Sequence, residues 1–165
     1  MVSKKSLDLY EKYSVLSKRE MKARHDIQLE DYIKKIQIES RVLGELATTH
    51  VIPGAVEYLN TLCESITNLK NVLDQKTFAK VSSTQVDAIS KIADHIQQIN
   101  LLTEKMLQAR KTANQISDTE EKAFAYCAKV FSLFEQIRLH ADKLEFLVDD
   151  QLWTLPKYRE MLFIR

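Results

Sequence analysis

Residues 117–148 read SDTEEKAFAYCAKVFSLFEQIRLHADKLEFLV and contain neither glycine nor proline. Apolar residues recur along this stretch every three or four positions, at Phe124, Cys127, Ala128, Phe131, Phe134, Ile137, Ala141, Leu144 and Val148. That spacing places them on one face of an α-helix. Ser117 and Glu120 have the spacing of a capping box, which predicts that the helix begins there. The stretch therefore predicts a long amphipathic helix.

A second long helix is predicted over residues 18–73. Ser17 and Glu20 repeat the capping-box spacing at its start. Pro53 interrupts the pattern, because proline lacks an amide hydrogen and its ring clashes with the carbonyl four residues earlier. Gly54 weakens the helix further. A straight helix of this length would extend roughly 84 Å, so the sequence predicts a kink near Pro53.

A third long helix is predicted over residues 83–111, where apolar residues again recur at helical spacing. Residues 74–84 and 113–117 lose this period and are predicted to be loops. Shorter helices are predicted near the two ends of the chain, over residues 6–14 and 156–162.

The composition also favours few, long helices. The chain has 165 residues but only two glycines and two prolines, where an average chain of this length has roughly 12 and 8. Turns and bulges need these residues. We therefore predict an all-α fold in a single domain over residues 1–165. Its three long helices would pack as an antiparallel bundle, with short helices at the termini.

The charge, the lengths of the apolar runs and the cysteines indicate which partners and which location to expect. The net charge is +1, so no overall field favours nucleic acid or a membrane surface. Residues 1–24 are locally basic and are expected to form a solvated helix face, with nucleic-acid binding as a weaker hypothesis. No apolar run approaches the ~18 residues of a membrane span, so the cytoplasm is the expected location. Cys63 and Cys127 are expected to be buried thiols.

The sequence has no recognisable catalytic or metal-binding motif. Its four histidines lack both the Glu-x-x-His pattern of di-iron bundles and the paired spacing of a zinc helix. The serines lack an oriented base, and two isolated glycines cannot form a phosphate-binding loop. His50 is expected to be a buried, hydrogen-bonded residue rather than a metal ligand. We therefore predict no catalytic, cofactor-binding or metal-binding residue, and no enzyme activity in this chain alone.

The C-terminal stretch 151–165, QLWTLPKYREMLFIR, is unusually apolar. Chain termini are usually polar and fray, so these side chains are expected to be buried. Packing on the chain's own bundle is the simpler expectation, and docking against another domain or subunit is the alternative. The candidate packing or docking residues are Trp153, Pro156, Tyr158 and Phe163.

Three blocks of the sequence resemble the region after the catalytic domain of type III glutamine synthetases. In residues 15–40, VLSKREMKARHDIQLEDYIKKIQIES, the matching residues are Val15, Leu16, Arg19, Glu20, Arg24, Ile27, Leu29, Glu30, Tyr32, Lys34, Ile38 and Glu39. Residues 51–53, Val-Ile-Pro, resemble that family's Ile-Leu-Pro, and residues 149–165 resemble its ending. The departures are Asp26 for a usual Glu, Gly54 for a usual Ala and Thr154 for a common Pro.

The resemblance implies the C-terminal helical domain of an ATP-dependent ligase that forms glutamine from glutamate and ammonia. The residues for that chemistry lie in upstream domains outside this sequence, so ATP and Mg²⁺ are implied for the parent enzyme only. The expected role is structural, assembly-related or regulatory. The expected partners are the catalytic domain or neighbouring subunits, possibly in a homo-oligomer, and neither nucleic acid nor a membrane. A stand-alone helical protein-interaction module is the alternative.

Overall fold

The computed structural model describes residues 3–162, apart from the side chains of Tyr158 and Arg159, and contains no β-strand in that range. The α-helices are α1 (Lys4–Lys12), α2 (Lys18–Leu46), α3 (Ile52–Val72), α4 (Gln75–Asn114), α5 (Thr119–Ala125), α6 (Phe134–Leu147) and α7 (Tyr158–Met161). Two π-helical turns, Ala47–Val51 and Tyr126–Val130, and a 3-10 turn, Phe131–Leu133, continue these helices. The all-α class is confirmed, whereas the antiparallel bundle of three long helices stays a prediction.

The chain divides into two compact units. The first unit comprises Met1–Arg41 and Met106–Ser132, and the second comprises Val42–Lys105 and Leu133–Arg165. Each unit therefore combines segments that are distant in sequence, because α2 and α4 each contribute residues to both units. The single domain over residues 1–165 stays a prediction.

Tyr126 belongs to the core of the first unit, and its side chain is fully buried. Its hydroxyl donates to Asn114 Oδ1 at 2.6 Å, and Gln37 Nε2 donates to the same oxygen at 2.8 Å. The Gln37 amide also lies 3.0 Å from the Tyr126 hydroxyl oxygen. This network satisfies the one polar atom of a buried aromatic side chain. The apolar residues buried in this unit are Met21, Ile33, Ile36, Met106, Ala113, Ala123, Ala125 and Val130.

The second unit has its own apolar core, formed by α3, α4, α6 and the π turn that precedes α3. Its buried apolar residues are Ala47, Val51, Ala55, Leu62, Ile92, Ile99, Leu133, Ile137, Leu144 and Val148. Ser82 and Thr103 of α4 are also buried. The Ser82 hydroxyl is satisfied within its own helix, since it donates to the Phe78 carbonyl at 2.8 Å.

The interruption expected near Pro53 takes the form of a widened turn rather than a break. In the π turn Ala47–Val51, the amide of Ile52 donates to the carbonyl of Ala47, five residues earlier. The wider turn relieves the clash between the Pro53 ring and the Thr49 carbonyl. Threonine hydroxyls donate to carbonyls of the preceding turn, Thr48 to Gly44 at 2.9 Å and Thr49 to Glu45 at 2.7 Å.

The predicted start of the second helix is confirmed atom by atom. The Ser17 amide donates to Glu20 Oε2 at 2.8 Å, and the Glu20 amide donates to Ser17 Oγ at 3.3 Å. This is the reciprocal geometry of a capping box. The other predicted box is displaced by one residue, because Asp118 rather than Ser117 accepts from a helix amide, that of Glu121 at 2.9 Å.

The prediction of a loop over residues 74–84 is wrong, because these residues are helical from Gln75 onward, where α4 begins. The Asp74 carboxylate accepts from the amides of Lys76 and Thr77, which caps the helix eight residues before the predicted start. The first two turns of α4 are mostly exposed. They therefore need no apolar face, and the absence of apolar periodicity did not indicate a loop. A cap and good helix formers are sufficient for a helix extension that buries little.

The predicted buried face of residues 117–148 is wrong in its first half. Phe124 and Cys127 are exposed, and Phe131 is about half-exposed. The side chains that are buried are those of Ala123, Tyr126, Val130 and Leu133. These residues also follow a three-and-four spacing, so sequence periodicity permits either face. The π turn Tyr126–Val130 and the 3-10 turn after it change the angle per residue and bring the second set inward.

Other local predictions need smaller corrections. Cys63 is exposed as well as Cys127, so neither is a buried thiol. His50 is exposed rather than buried. The final helix begins at Tyr158 after Lys157 as its N-cap, not at Pro156. Within residues 3–162, no helix is both long enough and apolar enough to cross a bilayer.

Candidate docking site

The described part of the C-terminal stretch, residues 149–162, is called here the tail. It packs against its own unit. Trp153, Leu155, Pro156 and Met161 line one side of an apolar pocket of about 340 Å³. The other sides are formed by the end of α2, the π turn after it and α6, through Leu43, Leu46, Ala47, Val51, Ile137 and Ala141. Two of the four candidate residues, Trp153 and Pro156, thus meet here. The Tyr158 side chain and Phe163 lie outside the described residues.

The tail backbone approaches α3 closely at Gly54. A Cβ atom built on Gly54 would lie 2.6 Å from the carbonyl oxygen of Leu152, a distance that real Cβ atoms do not show. On the adjacent turn, His50 Nδ1 lies 3.3 Å from the Thr154 hydroxyl. Gly54 and Thr154 are two of the three departures from the family pattern noted above. Both therefore occur where the tail meets the start of α3.

Lys157 joins the tail to the C-terminus of α6. Its Nζ donates to the Glu145 carbonyl at 2.9 Å, lies 3.5 Å from the Val148 carbonyl and pairs with the Asp150 carboxylate. The last carbonyls of a helix lack helical partners and carry a partial negative charge, so an ammonium group there is stabilising. The Lys157 side chain is only 13% exposed, and its Nζ lies 6.0 Å from the Trp153 ring centroid.

Sequence reasoning missed Lys157. The available signal was a lysine shortly after a predicted helix end, where it can cap the last carbonyls. Trp153, in contrast, was selected from sequence. It lines the pocket, and its Nε1 is buried and has no hydrogen-bond acceptor among the described residues. A buried, unpaired donor costs about 1–3 kcal/mol, so its apolar contacts have to offset this cost.

We expect Gly54→Ala to destabilise the second unit by about 1–3 kcal/mol, because the added methyl group overlaps a backbone oxygen that cannot rotate away. The measurement is the free energy of unfolding from urea titration. The control is the same substitution in a chain that ends at Val148. There the clashing oxygen is gone, and alanine should stabilise α3 by about 0.5–1 kcal/mol through helix propensity. Equal effects in the two chains would show that the tail does not lie against Gly54.

Exposed apolar side chains occur on α6, which precedes the tail in sequence, and on the last turn of the tail. Leu139 and Phe146 are seven residues apart on α6 and therefore share a face, and Phe146 is 87% exposed. Met161 and Leu162 follow at the end of the tail, and Leu162 is 77% exposed. These four residues are called here the tail surface. Exposed apolar side chains so close in sequence to a packed tail suit contact with another polypeptide.

Metal-ligating side chains, a buried phenol and the basic N-terminal stretch are three further features of the described residues. Residues 3–162 contain no group of three or more His, Cys, Asp or Glu side chains that could hold a metal ion. In the first unit, burial and then a hydrogen bond with Cys127 raise the pKa of Tyr32 to about 12. In the basic N-terminal stretch, Lys18 pairs with Glu11 at 2.7 Å and Asp8 at 3.2 Å, which weakens its use as a phosphate ligand.

Comparison with known proteins agrees with the resemblance. The family model described as glutamine synthetase C-terminal domain matches residues 1–70. A glutamine synthetase of Bacteroides fragilis is 40% identical over 151 residues, which is 92% of this chain and 21% of that protein. The type-3 glutamine synthetase of Dictyostelium discoideum is 29% identical over 99% of this chain and 22% of its own length. A glutamine synthetase of Butyrivibrio fibrisolvens is 27% identical over 98% of this chain and 23% of its own length.

The chain thus spans about a fifth of the length of the curated relatives that it matches. The matched family model describes a C-terminal domain, and the helical fold has the all-α class that the resemblance implied. The chain belongs with the C-terminal helical regions of the glutamine synthetases, including those of type 3.

Proposed function

We propose that this chain is the non-catalytic C-terminal helical domain of a glutamine synthetase, and that it holds the catalytic domain or neighbouring subunits together through the tail surface. The observation that carries the proposal is the pairing of a packed tail with an exposed apolar surface. Trp153 and Leu155 are half-buried on their own unit, while Phe146 and Leu162 face solvent. In this proposal Trp153 and Leu155 position the tail, and Phe146 and Leu162 contact a partner.

The proposal also includes the other properties expected from the sequence. Glutamine formation, with its ATP and Mg²⁺, would belong to the rest of the polypeptide, because the relatives are glutamine synthetases and this chain matches only 21–22% of their length. The assembly would be a homo-oligomer in the cytoplasm. The two units of the chain would form a single domain, whose long helices pack as an antiparallel bundle.

Charged substitutions on the tail surface test the proposal in the full-length enzyme. We expect Phe146→Asp and Leu162→Asp each to weaken subunit association at least about tenfold, because an interface would have to bury the new carboxylate. The measurement is the oligomeric state by analytical ultracentrifugation, with glutamine formation assayed on the same samples. The control is Val72→Asp at the end of α3, where the valine is 82% exposed but lies outside the tail surface. Unchanged association in both tail variants would overturn the proposal.

The rival interpretation is a stand-alone helical interaction module. The two are distinguished by the mass of the native polypeptide in its source cells, detected by immunoblot with an antibody against this chain. A band several times larger than 19.2 kDa supports the glutamine synthetase domain. A band at 19.2 kDa contradicts it and favours the module.

A further inference from the structure

Two histidines from different helices are in contact in the second unit. His95 of α4 and His140 of α6 are 45 positions apart in sequence, yet their Nδ1 atoms are 3.0 Å apart. The ring centroids are separated by 5.2 Å, and the ring planes are tilted by 54°. Both side chains are half-buried. They are called here the histidine pair.

The short distance between the two Nδ1 atoms restricts the protonation states in which the contact can exist. A hydrogen bond between them requires one Nδ1 to carry a hydrogen and the other to offer its lone pair. The pair therefore exists with both rings neutral or with one ring protonated. When both rings are protonated, two N–H groups face each other and neither has an acceptor, so the hydrogen bond is lost and two positive charges oppose each other.

The neighbouring charges disfavour protonation on balance. Lys143, one turn after His140 on α6, adds a positive charge near both rings. Asp94, next to His95 on α4, acts in the opposite direction. Burial lowers the pKa of both rings, His140 and Lys143 lower that of His95 further, and Lys143 lowers that of His140 further.

We propose that the histidine pair is a pH-sensitive contact between α4 and α6, intact while at most one of the two rings is protonated to the imidazolium form and broken when both are. This goes beyond the proposed function and does not depend on it. His140 lies between Ile137 and Ala141, which line the pocket beneath the tail. Loss of the contact therefore loosens the helix on which the tail rests.

The direction of the pH effect follows from the lowered pKa values. An unfolded histidine takes up its proton near pH 6.5, while the folded pair resists protonation to a lower pH. Below about pH 6.5 the unfolded chain therefore binds more protons than the folded chain. The stability contributed by the pair is complete above that pH and is lost as the pH falls towards the lowered pKa values.

The test is urea unfolding of the 165-residue chain between pH 5 and 8. We expect the unfolding constant of the unsubstituted chain to rise by up to about tenfold per pH unit for each histidine below about pH 6.5. In His95→Asn and His140→Asn, an amide that cannot ionise replaces one imidazole. The logarithm of the unfolding constant should then change with pH at most about half as steeply as in the unsubstituted chain. His25→Asn, outside the pair, serves as the control. The same pH dependence in all four chains would overturn the proposal.

Nuclear magnetic resonance titration provides a second measurement that needs no substitution. The imidazole C–H signals of His95 and His140 should both titrate below pH 6.5, the ordinary value. If either variant fails to fold, this titration alone decides the question. Titration of both rings at or above that value would contradict the proposed contact.

Discussion

Replacing Tyr126 by alanine is expected to lower the free energy of unfolding by about 3–5 kcal/mol, the range for removing a buried aromatic side chain. The side chain is 0% exposed and is the largest fully buried side chain in the first unit. Its removal leaves a cavity and also takes away the hydroxyl donor to Asn114. Because small proteins are stable by only about 5–15 kcal/mol, the first unit should be severely weakened. The measurement is urea unfolding followed by far-ultraviolet circular dichroism.

The control for this prediction is Tyr126→Phe, which keeps the ring and removes only the hydroxyl. Asn114 Oδ1 still accepts from Gln37 in that variant, so the expected loss is about 0.5–1.5 kcal/mol. The difference between the two variants then measures the packing of the ring. A loss below about 1 kcal/mol for Tyr126→Ala would mean that Tyr126 is not a core residue.

Ile137→Ala is expected to lower the free energy of unfolding by about 2–5 kcal/mol. Ile137 is 0% exposed, and it belongs both to the core of the second unit and to the wall of the pocket beneath the tail. The substitution should therefore also expose the tail, which limited proteolysis after Lys157 can detect.

Leu139→Ala on the same helix is the matched control, since Leu139 is about half-exposed. We expect a change within about 0.5 kcal/mol and no change in proteolysis of the tail. If the two variants were equally destabilised, the buried face of α6 would have to be reassigned.

Several features could be predicted because they depend on neighbours in the chain. The scarcity of glycine and proline and the three-and-four apolar spacing indicated an all-α chain. The capping box at Ser17 followed from a hydroxyl and a carboxylate three residues apart. Pro53 located the irregular turn, because the clash of a proline ring is with the turn directly before it.

The candidate site was predictable only in part. The apolar composition of the tail singled out Trp153 and Pro156, and both line the pocket. The role of Lys157 was missed because its ammonium group reaches the carbonyls at the end of α6 only when the chain turns back after Asp149. The close approach of Leu152 to Gly54 was also missed, since it joins residues almost a hundred positions apart.

Secondary structure in this protein followed from local rules, because helix propensity, capping and proline sterics act within a few residues. The choice between two possible faces did not. Periodicity permitted either Phe124 or Tyr126 to point inward, and tertiary packing buried Tyr126, whose hydroxyl finds Asn114 and Gln37 across the first unit. The same holds for His95 and His140, which show no motif in sequence and meet only because α4 packs against α6. Such contacts depend on the positions of distant segments, so only the tertiary structure could decide them.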